Sequence, residues 1–414
     1  MMLAIMAADP SNTFLIRGAR IFDGVRVTGT GSVLVVDGRI AAIGRAAAPP
    51  GTPVHDGRGK TVLPGLIDGH RHSEPYTAGD LRDALRLGVT TELDLHGEPE
   101  VIAAARRRRE SLGRTDLADL WSAGWGVKVP GGLPEDDPEL PVTPKLGTED
   151  DPDQFVADRF REGSDYLKVF YENGEIFGLP SPTLTPGQLH AVIAAAHRRG
   201  RMAIVHATEL EQAKTAVHAG ADGLAHMFLN PVDDAFIQAI RRGGAFITTT
   251  LSTFDCGLGA EELLNDARVR PYLSAAQLAA LKNTPNCPPG QPEGELANLR
   301  RLHAAGVPII AGTDAGVGSC AHGATMLAEL CYLVRAGMSP AQALTAATAT
   351  PAEKYRLTDR GRIATGLRAD LLLVNGNPAE DVTALREISA IWKNGHPVDR
   401  TPDPSTGTAT VGQQ

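Results

Sequence analysis

Two histidines one residue apart close the run Leu63-Pro64-Gly65-Leu66-Ile67-Asp68-Gly69-His70-Arg71-His72. On an extended strand alternate side chains share a face, so His70 and His72 project to the same side. Two neutral imidazoles converging from one strand end suit a borderline-soft divalent ion such as zinc. The pair alone says little, but four further residues keep it company. Lys168 lies in Tyr166-Leu167-Lys168-Val169-Phe170, His206 in Ala203-Ile204-Val205-His206, His226 in Leu224-Ala225-His226, and Asp314 in Ala311-Gly312-Thr313-Asp314. Each sits in or just after a short apolar run. A lysine inside such a run needs a partner or a chemical modification, because an isolated ammonium is expensive to desolvate. Imidazole and carboxylate donors gathered in this way can hold divalent metal, lower the pKa of a bound water and supply hydroxide at neutral pH, with Asp314 as the proton acceptor.

The elements that would position these residues follow a βαβ rhythm. Eight strand candidates cover 62–67, 90–95, 120–125, 165–170, 202–206, 223–226, 245–250 and 308–313, separated by Ala-rich helical stretches such as 186–199, 209–219 and 233–242. Eight such units predict a parallel (β/α)8 TIM barrel, in which chemistry gathers at the C-terminal ends of the strands. The flanks have another texture. Short strands over 13–21, 32–36 and 39–43, with Asp37-Gly38 as a two-residue turn, are matched near the end by 369–374 and 388–393, followed by Asn375-Gly376 and Asn394-Gly395. The expectation is an α/β protein: a barrel over 62–361 and a small β-sandwich domain built from both termini, 1–61 and 362–414.

Taken in order, His-x-His, Lys, His, His and Asp resemble the binuclear branch of the amidohydrolase superfamily. Pro64-Gly65-Leu66-Ile67-Asp68-Gly69-His70-Arg71-His72, Gly312-Thr313-Asp314-Ala315 and Ala321-His322-Gly323 carry the likeness, which runs from Gly38-Arg39-Ile40 to Gly366-Leu367-Arg368-Ala369-Asp370-Leu371. The phrasing is nearest to metal-dependent prolidases and aminoacyl-carboxypeptidase-like members. The resemblance implies two divalent ions, Zn2+ first and Mn2+, Co2+ or Fe2+ as alternatives. His70, His72 and Asp314 would hold the more buried ion and His206 and His226 the other, bridged by hydroxide and by Lys168 carrying a carbamate. It implies hydrolysis of an amide, cyclic amide, carbamate or related carbonyl bond of a small molecule, with Asp314 as proton shuttle. The alternative within the superfamily is a mononuclear enzyme that deaminates or ring-opens a heterocycle and leaves Lys168 unmodified.

Four further residues are candidate substrate contacts. His96 ends the second barrel strand and Tyr171, with Glu172 and Asn173, follows the fourth; His322 follows the eighth, where it could touch substrate or orient Asp314. Where peptidase relatives place a histidine after the third strand, this chain has Gly124-Trp125-Gly126, which points to an apolar or aromatic contact through Trp125 and away from dipeptides. Two long βα loops, 126–151 and 251–293, are candidate lids over the site.

Composition narrows the rest. The net charge of −9 argues against a nucleic-acid or anionic-membrane partner, and the basic run 106–109 reads as the solvated end of a helix. Four cysteines without CxxC spacing predict a reducing, cytoplasmic setting. The apolar start Met1-Met2-Leu3-Ala4-Ile5-Met6 lacks a basic flank and reads as a ragged terminus, not a signal peptide. A homo-oligomer is compatible with the sequence.

Overall fold

The computed structural model describes residues 12–73, 76–135, 142–255, 257–283 and 291–402. It opens with five strands: β1 (Phe14–Phe22), β2 (Val27–Val36), β3 (Arg39–Gly44), β4 (Val54–Asp56) and β5 (Lys60–Pro64). The middle alternates strands and helices through β6 (Leu66–Ser73), β7 (Val89–Gly97), β8 (Asp119–Ser122), β9 (Leu167–Phe170), β10 (Ala203–His206), β11 (Gly223–Ala225), β12 (Phe246–Thr248) and β13 (Ile309–Ile310). The chain closes with β14 (Leu371–Asn375), β15 (Ile388–Lys393) and β16 (His396–Pro397).

The strands from the two ends form one mixed sheet in the order β16-β15-β14-β5-β1-β2-β3, with β4 also on β1. This is a single eight-stranded sheet, where the sequence suggested a two-sheet sandwich. Strand β1 serves two parallel neighbours, β4 at Leu15–Arg17 and β5 at Arg20–Ile21. The register breaks between Ile16 and Ala19, at Gly18 with φ +71°. One bent strand thus does the work expected of two sheets.

The middle strands are all parallel, in the orders β6-β7-β8 and β9-β10-β11-β12-β13. The two sheets meet through isolated parallel bridges, Val127 with Val169 and Arg71 with Ala315. No continuous ladder runs across either seam among the described residues. Ile67, Leu93, Leu95, Tyr166, Ile204, Phe246 and Ile310 pack into one buried cluster between these strands. Helix starts follow the expected chemistry: Thr185 and Gln188 form a capping box ahead of the helix Pro186–Arg198, and Asp233 caps Asp234–Gly243.

The sequence reading took 62–67 as one barrel strand, but the chain changes sheets there. Strand β5 pairs antiparallel with β14 and ends at Pro64, which cannot donate to a further ladder. The Gly65 N–H instead donates to the Asp370 carbonyl at 2.8 Å. A side chain at Gly65 would meet Thr90 Oγ1 at 2.2 Å, so only glycine lets β6 approach β7 here. His70 and His72 consequently lie inside β6, not beyond it.

A buried charge cluster ties the terminal sheet to the barrel strands. Lys393 Nζ donates to Asp119 at 2.7 Å and to Asp370 at 2.8 Å, and Arg360 donates to Asp119 at 2.6 Å. Burial alone would raise the Asp119 pKa, but Lys393 and Arg360 outweigh it and hold the carboxyl well below its usual range. Lys393→Met leaves two buried carboxylates without this ammonium and should cost about 3–5 kcal/mol in urea unfolding. Because the folded pKa of Asp119 is depressed, its contribution is present above an unfolded value of about 3.9 and is lost as pH falls through that value and lower. The wild-type advantage over Lys393→Met should therefore shrink below about pH 4.

Candidate metal centre

Strand β6 brings His70 and His72 to one face, with their Nε2 atoms 3.2 Å apart. Asp314, just past β13, places Oδ1 at 3.1 Å from His70 Nε2 and 2.9 Å from His72 Nε2. Donor separations of about 3.4 Å are what a tetrahedral ion with bonds near 2.1 Å requires. The triad is nearly closed around such a centre. The remaining candidates converge on it: the His226 ring centroid lies 4.6 Å from that of His70 and 4.4 Å from that of His206. Lys168, on β9, is fully buried, and its Nζ has no hydrogen-bond partner.

Two of these residues stand in left-handed backbone, His226 at φ +76° and Asp314 at φ +56°, and Thr250 after β12 does so at φ +49°. Three consecutive barrel strands thus end in backbone that ordinary side chains rarely adopt, a cost concentrated where polar groups converge. The strain is held by hydrogen bonds. Thr250 Oγ1 lies 2.8 Å from His226 Nδ1, which leaves Nε2 for the centre. Asp68 accepts from Thr313 Oγ1 at 2.6 Å and from the amides of His70 and Thr313 at 3.1 Å, clamping β6 to the turn that carries Asp314. Burial, with Glu92 nearby, pushes the Asp68 carboxyl up to about 8.

Electrostatics favour the ligand forms. Burial, then Lys168, lowers the His70 pKa to about 3, and burial likewise lowers His206 and His226, so these imidazoles are neutral. Burial would raise Asp314, but the adjacent His70 and His72 hold it well below the usual carboxylate range. Lys168 is pushed down to about 7 by burial. An orphaned buried amine beside neutral imidazoles and an ionised carboxylate fits a cationic occupant.

The four weaker candidates fall apart in space. His96 lines the cleft above the centre; its Nδ1 accepts the Gly126 amide at 3.0 Å. Trp125 is buried against the His96 ring at 5.4 Å and is not among the residues that line the cleft. Tyr171 hydrogen-bonds Thr215 on the helix Leu210–His218 and also misses the cleft. His322 faces a neighbouring cavity of 260 Å³ that shares His72 and Gly316 with the cleft. It lies 3.3 Å from buried Arg71, which pairs with Glu92 at 3.0 Å behind the histidine strand. His322 braces that strand and makes no hydrogen bond to Asp314.

Sequence reasoning missed Thr250 and Asp68, and of Tyr171, Glu172 and Asn173 after the fourth strand it is Glu172 that lines the cleft. Glu172 takes the place proposed for Tyr171: it lines the cleft, accepts from Thr208 Oγ1 at 2.5 Å and the Gly174 amide at 2.9 Å, and lies 3.7 Å from His206 Nε2. Despite burial, His206 and Thr208 hold its carboxyl at about 2. The only signal was its position two residues past a barrel strand. Of the two long loops, Leu133 and Pro134 from the first and Thr253 and Phe254 from the second reach the cleft, while 136–141, 256 and 284–290 lie outside the described residues.

A sequence profile of the Amidohydrolase family matches residues 61–398, which takes in every residue of this centre. The chain belongs to the amidohydrolase family. Among curated relatives, this amidohydrolase is 25% identical to an imidazolonepropionase of Streptomyces griseus, over 89% of this chain and 92% of that one. It is also 25% identical to an adenine deaminase of Lysinibacillus sphaericus, covering 93% of this chain but spanning only 57% of that protein. Among solved structures, a putative prolidase from Bifidobacterium longum superposes with TM-score 0.74 at 27% identity, over 95% of this chain and 96% of that one. These likenesses carry a TIM-barrel-type α/β fold.

The amidohydrolase also yields a test of the Thr250 clamp. Thr250→Val removes the partner that fixes the His226 tautomer, and metal affinity should fall about 10–100-fold with the fold unchanged. Competition with a chromophoric chelator measures it; unchanged affinity would mean that His226 is held in place without this bond.

Proposed function

We propose that the protein is a metal-dependent hydrolase that cleaves an amide, cyclic amide, carbamate or related carbonyl bond of a small molecule. The observation that carries this reading is the near-closed His70–His72–Asp314 triad with the unpartnered Lys168 amine buried beside it. His70, His72 and Asp314 would hold one divalent ion, and His206 and His226 a second. Lys168 would join them as a carbamate, formed when its neutral amine attacks carbon dioxide and the displaced N–H proton passes to solvent. A pKa near 7 makes that neutral form available. When bound, the ions supply Lewis acidity and an acidified water.

The chain's own residues do the rest. Asp314 accepts the proton of the attacking water as the C–O bond forms, and returns it to the leaving nitrogen as the C–N bond breaks. Thr253 Oγ1, 3.4 Å from Asp314 Oδ2, keeps that carboxylate oriented. Thr250 holds His226 through Nδ1, and Glu172 faces His206 Nε2 at 3.7 Å from the cleft wall. The reading includes closure of β6 to β13 into one eight-stranded barrel, with the strands from the two chain ends as a separate small domain. It also includes a cytoplasmic setting, which the free thiols of Cys320 and Cys331 support. No helix among the described residues is long and apolar enough to cross a membrane.

The reading predicts that dialysis against a chelator such as dipicolinate abolishes amide hydrolysis and that Zn2+ or Mn2+ restores it. A panel of N-acyl amines, lactams, hydantoins and aryl carbamates would supply the activity to follow. Full activity in metal-free protein would refute the assignment.

A further inference from the structure

The cleft above the centre has a volume of 380 Å³, enough for a drug-sized molecule. Its wall is apolar: Leu133, Pro134, Phe170, Phe177, Phe254 and Val317 supply most of it. Phe177 and Phe254 lie nearly parallel, with ring centroids 6.3 Å apart and planes 17° from each other. Phe254 also stands edge-on to His226 at 6.4 Å, so the aromatic wall begins at the metal-site histidines and runs outward. The Phe177 side of it remains 40% exposed. An apolar ring entering from solvent would find a ready stacking surface there.

The charges point the same way. No residue lining the cleft is a lysine or arginine. The segments outside the described residues contain neither residue type, so they cannot supply one. Two basic side chains close to the site in sequence are otherwise engaged: Lys128 donates to the Pro134 carbonyl at 2.8 Å, and Arg71 is buried against Glu92. The acidic side chain on the outer wall is Glu172. Its oxygens are already filled by Thr208, the Gly174 amide and His206. A carboxylate-bearing substrate would meet an acidic side chain and apolar surface where it needs a guanidinium or ammonium.

We infer that the site takes uncharged, ring-bearing amides, carbamates or ureas and rejects substrates carrying a free carboxylate near the scissile bond. This rests on the hydrolase reading above and names the substrate class of that same site. It differs from the expectation that Trp125 lines the pocket, since the ring surface comes from the Phe177 and Phe254 loops.

Matched pairs test it on the zinc-loaded enzyme. N-acetyl-2-phenylethylamine and N-acetyl-L-phenylalanine differ only by the carboxylate, as do N-methylbenzamide and N-benzoylglycine. The uncharged member of each pair should have kcat/KM higher on the order of a hundredfold, because the carboxylate would be desolvated without a partner. N-acetylethylamine, which lacks the ring, should fall at least about tenfold below its phenyl analogue. Equal or better turnover of the carboxylated members would overturn the inference. Calorimetric binding to the same enzyme separates the pocket from the chemistry. If no amide is hydrolysed but the uncharged member binds more tightly, the hydrolase reading fails and the pocket assignment stands. Tighter binding of the carboxylate, or binding of neither, overturns the pocket assignment itself.

Discussion

Lys168→Ala should lose most of the bound metal and at least about a hundredfold in kcat, more than the removal of an outer support would cost. The lysine is buried completely, and no hydrogen bond reaches its amine. Such a group is normally either paired or chemically altered, since an isolated ammonium in an apolar strand is costly. Its amine is pushed down to about 7, so a large fraction is neutral and nucleophilic at physiological pH. A carbamate there would replace a buried cation by an anion with two oxygens and offset the charge of two divalent ions. The alanine variant removes those oxygens and leaves a space that formate, acetate or propionate can enter. Partial recovery of metal content and of kcat by these acids, scaling with their concentration, is the expected signature. A fully active Lys168→Ala enzyme would contradict the carbamate assignment.

Asp314→Asn should retain the fold and lower kcat by roughly 10²–10⁴, the range typical of losing a general base. The amide has nearly the shape of the carboxylate but cannot take up the proton. Asp314 is also within 3.1 Å of both histidines of β6, so weaker metal binding should accompany the loss. The two effects separate in a titration: saturating Zn2+ should restore metal content without restoring kcat. If kcat returns with the metal, another group moves the proton. The acidic limb of the wild-type pH–rate profile should report Asp314 and the acidified water as one coupled system.

The six residues of the candidate centre stood out in the chain because they break local rules. Lys168 interrupts an apolar strand, and His206, His226 and Asp314 end runs that would otherwise continue as core. Such breaks mark function before any tertiary information is available. The parallel middle was visible for a related reason: β9 to β13 are short apolar runs between amphipathic helices. The exchange of sheets at Gly65 was hidden, because 62–67 is continuously apolar and the reason for the break is Thr90, distant in sequence. The cleft wall was equally hidden. Phe177 and Phe254 belong to different loops and meet only in the fold, whereas Trp125 and Tyr171 drew notice by adjacency to strand ends and do not line the cleft. Thr250 acts through backbone conformation and a hydrogen bond to another strand, for which a single sequence offers no marker, and only its place after a strand pointed to Glu172.

Metal stoichiometry separates a binuclear centre from a mononuclear one. Protein stripped of metal, reconstituted with Zn2+ in bicarbonate buffer and freed of excess ion should contain close to two equivalents per chain by plasma emission, and Lys168→Ala far less. One equivalent in the wild type, retained in Lys168→Ala, would contradict the binuclear account and favour a single ion at His70, His72 and Asp314 with Lys168 unmodified.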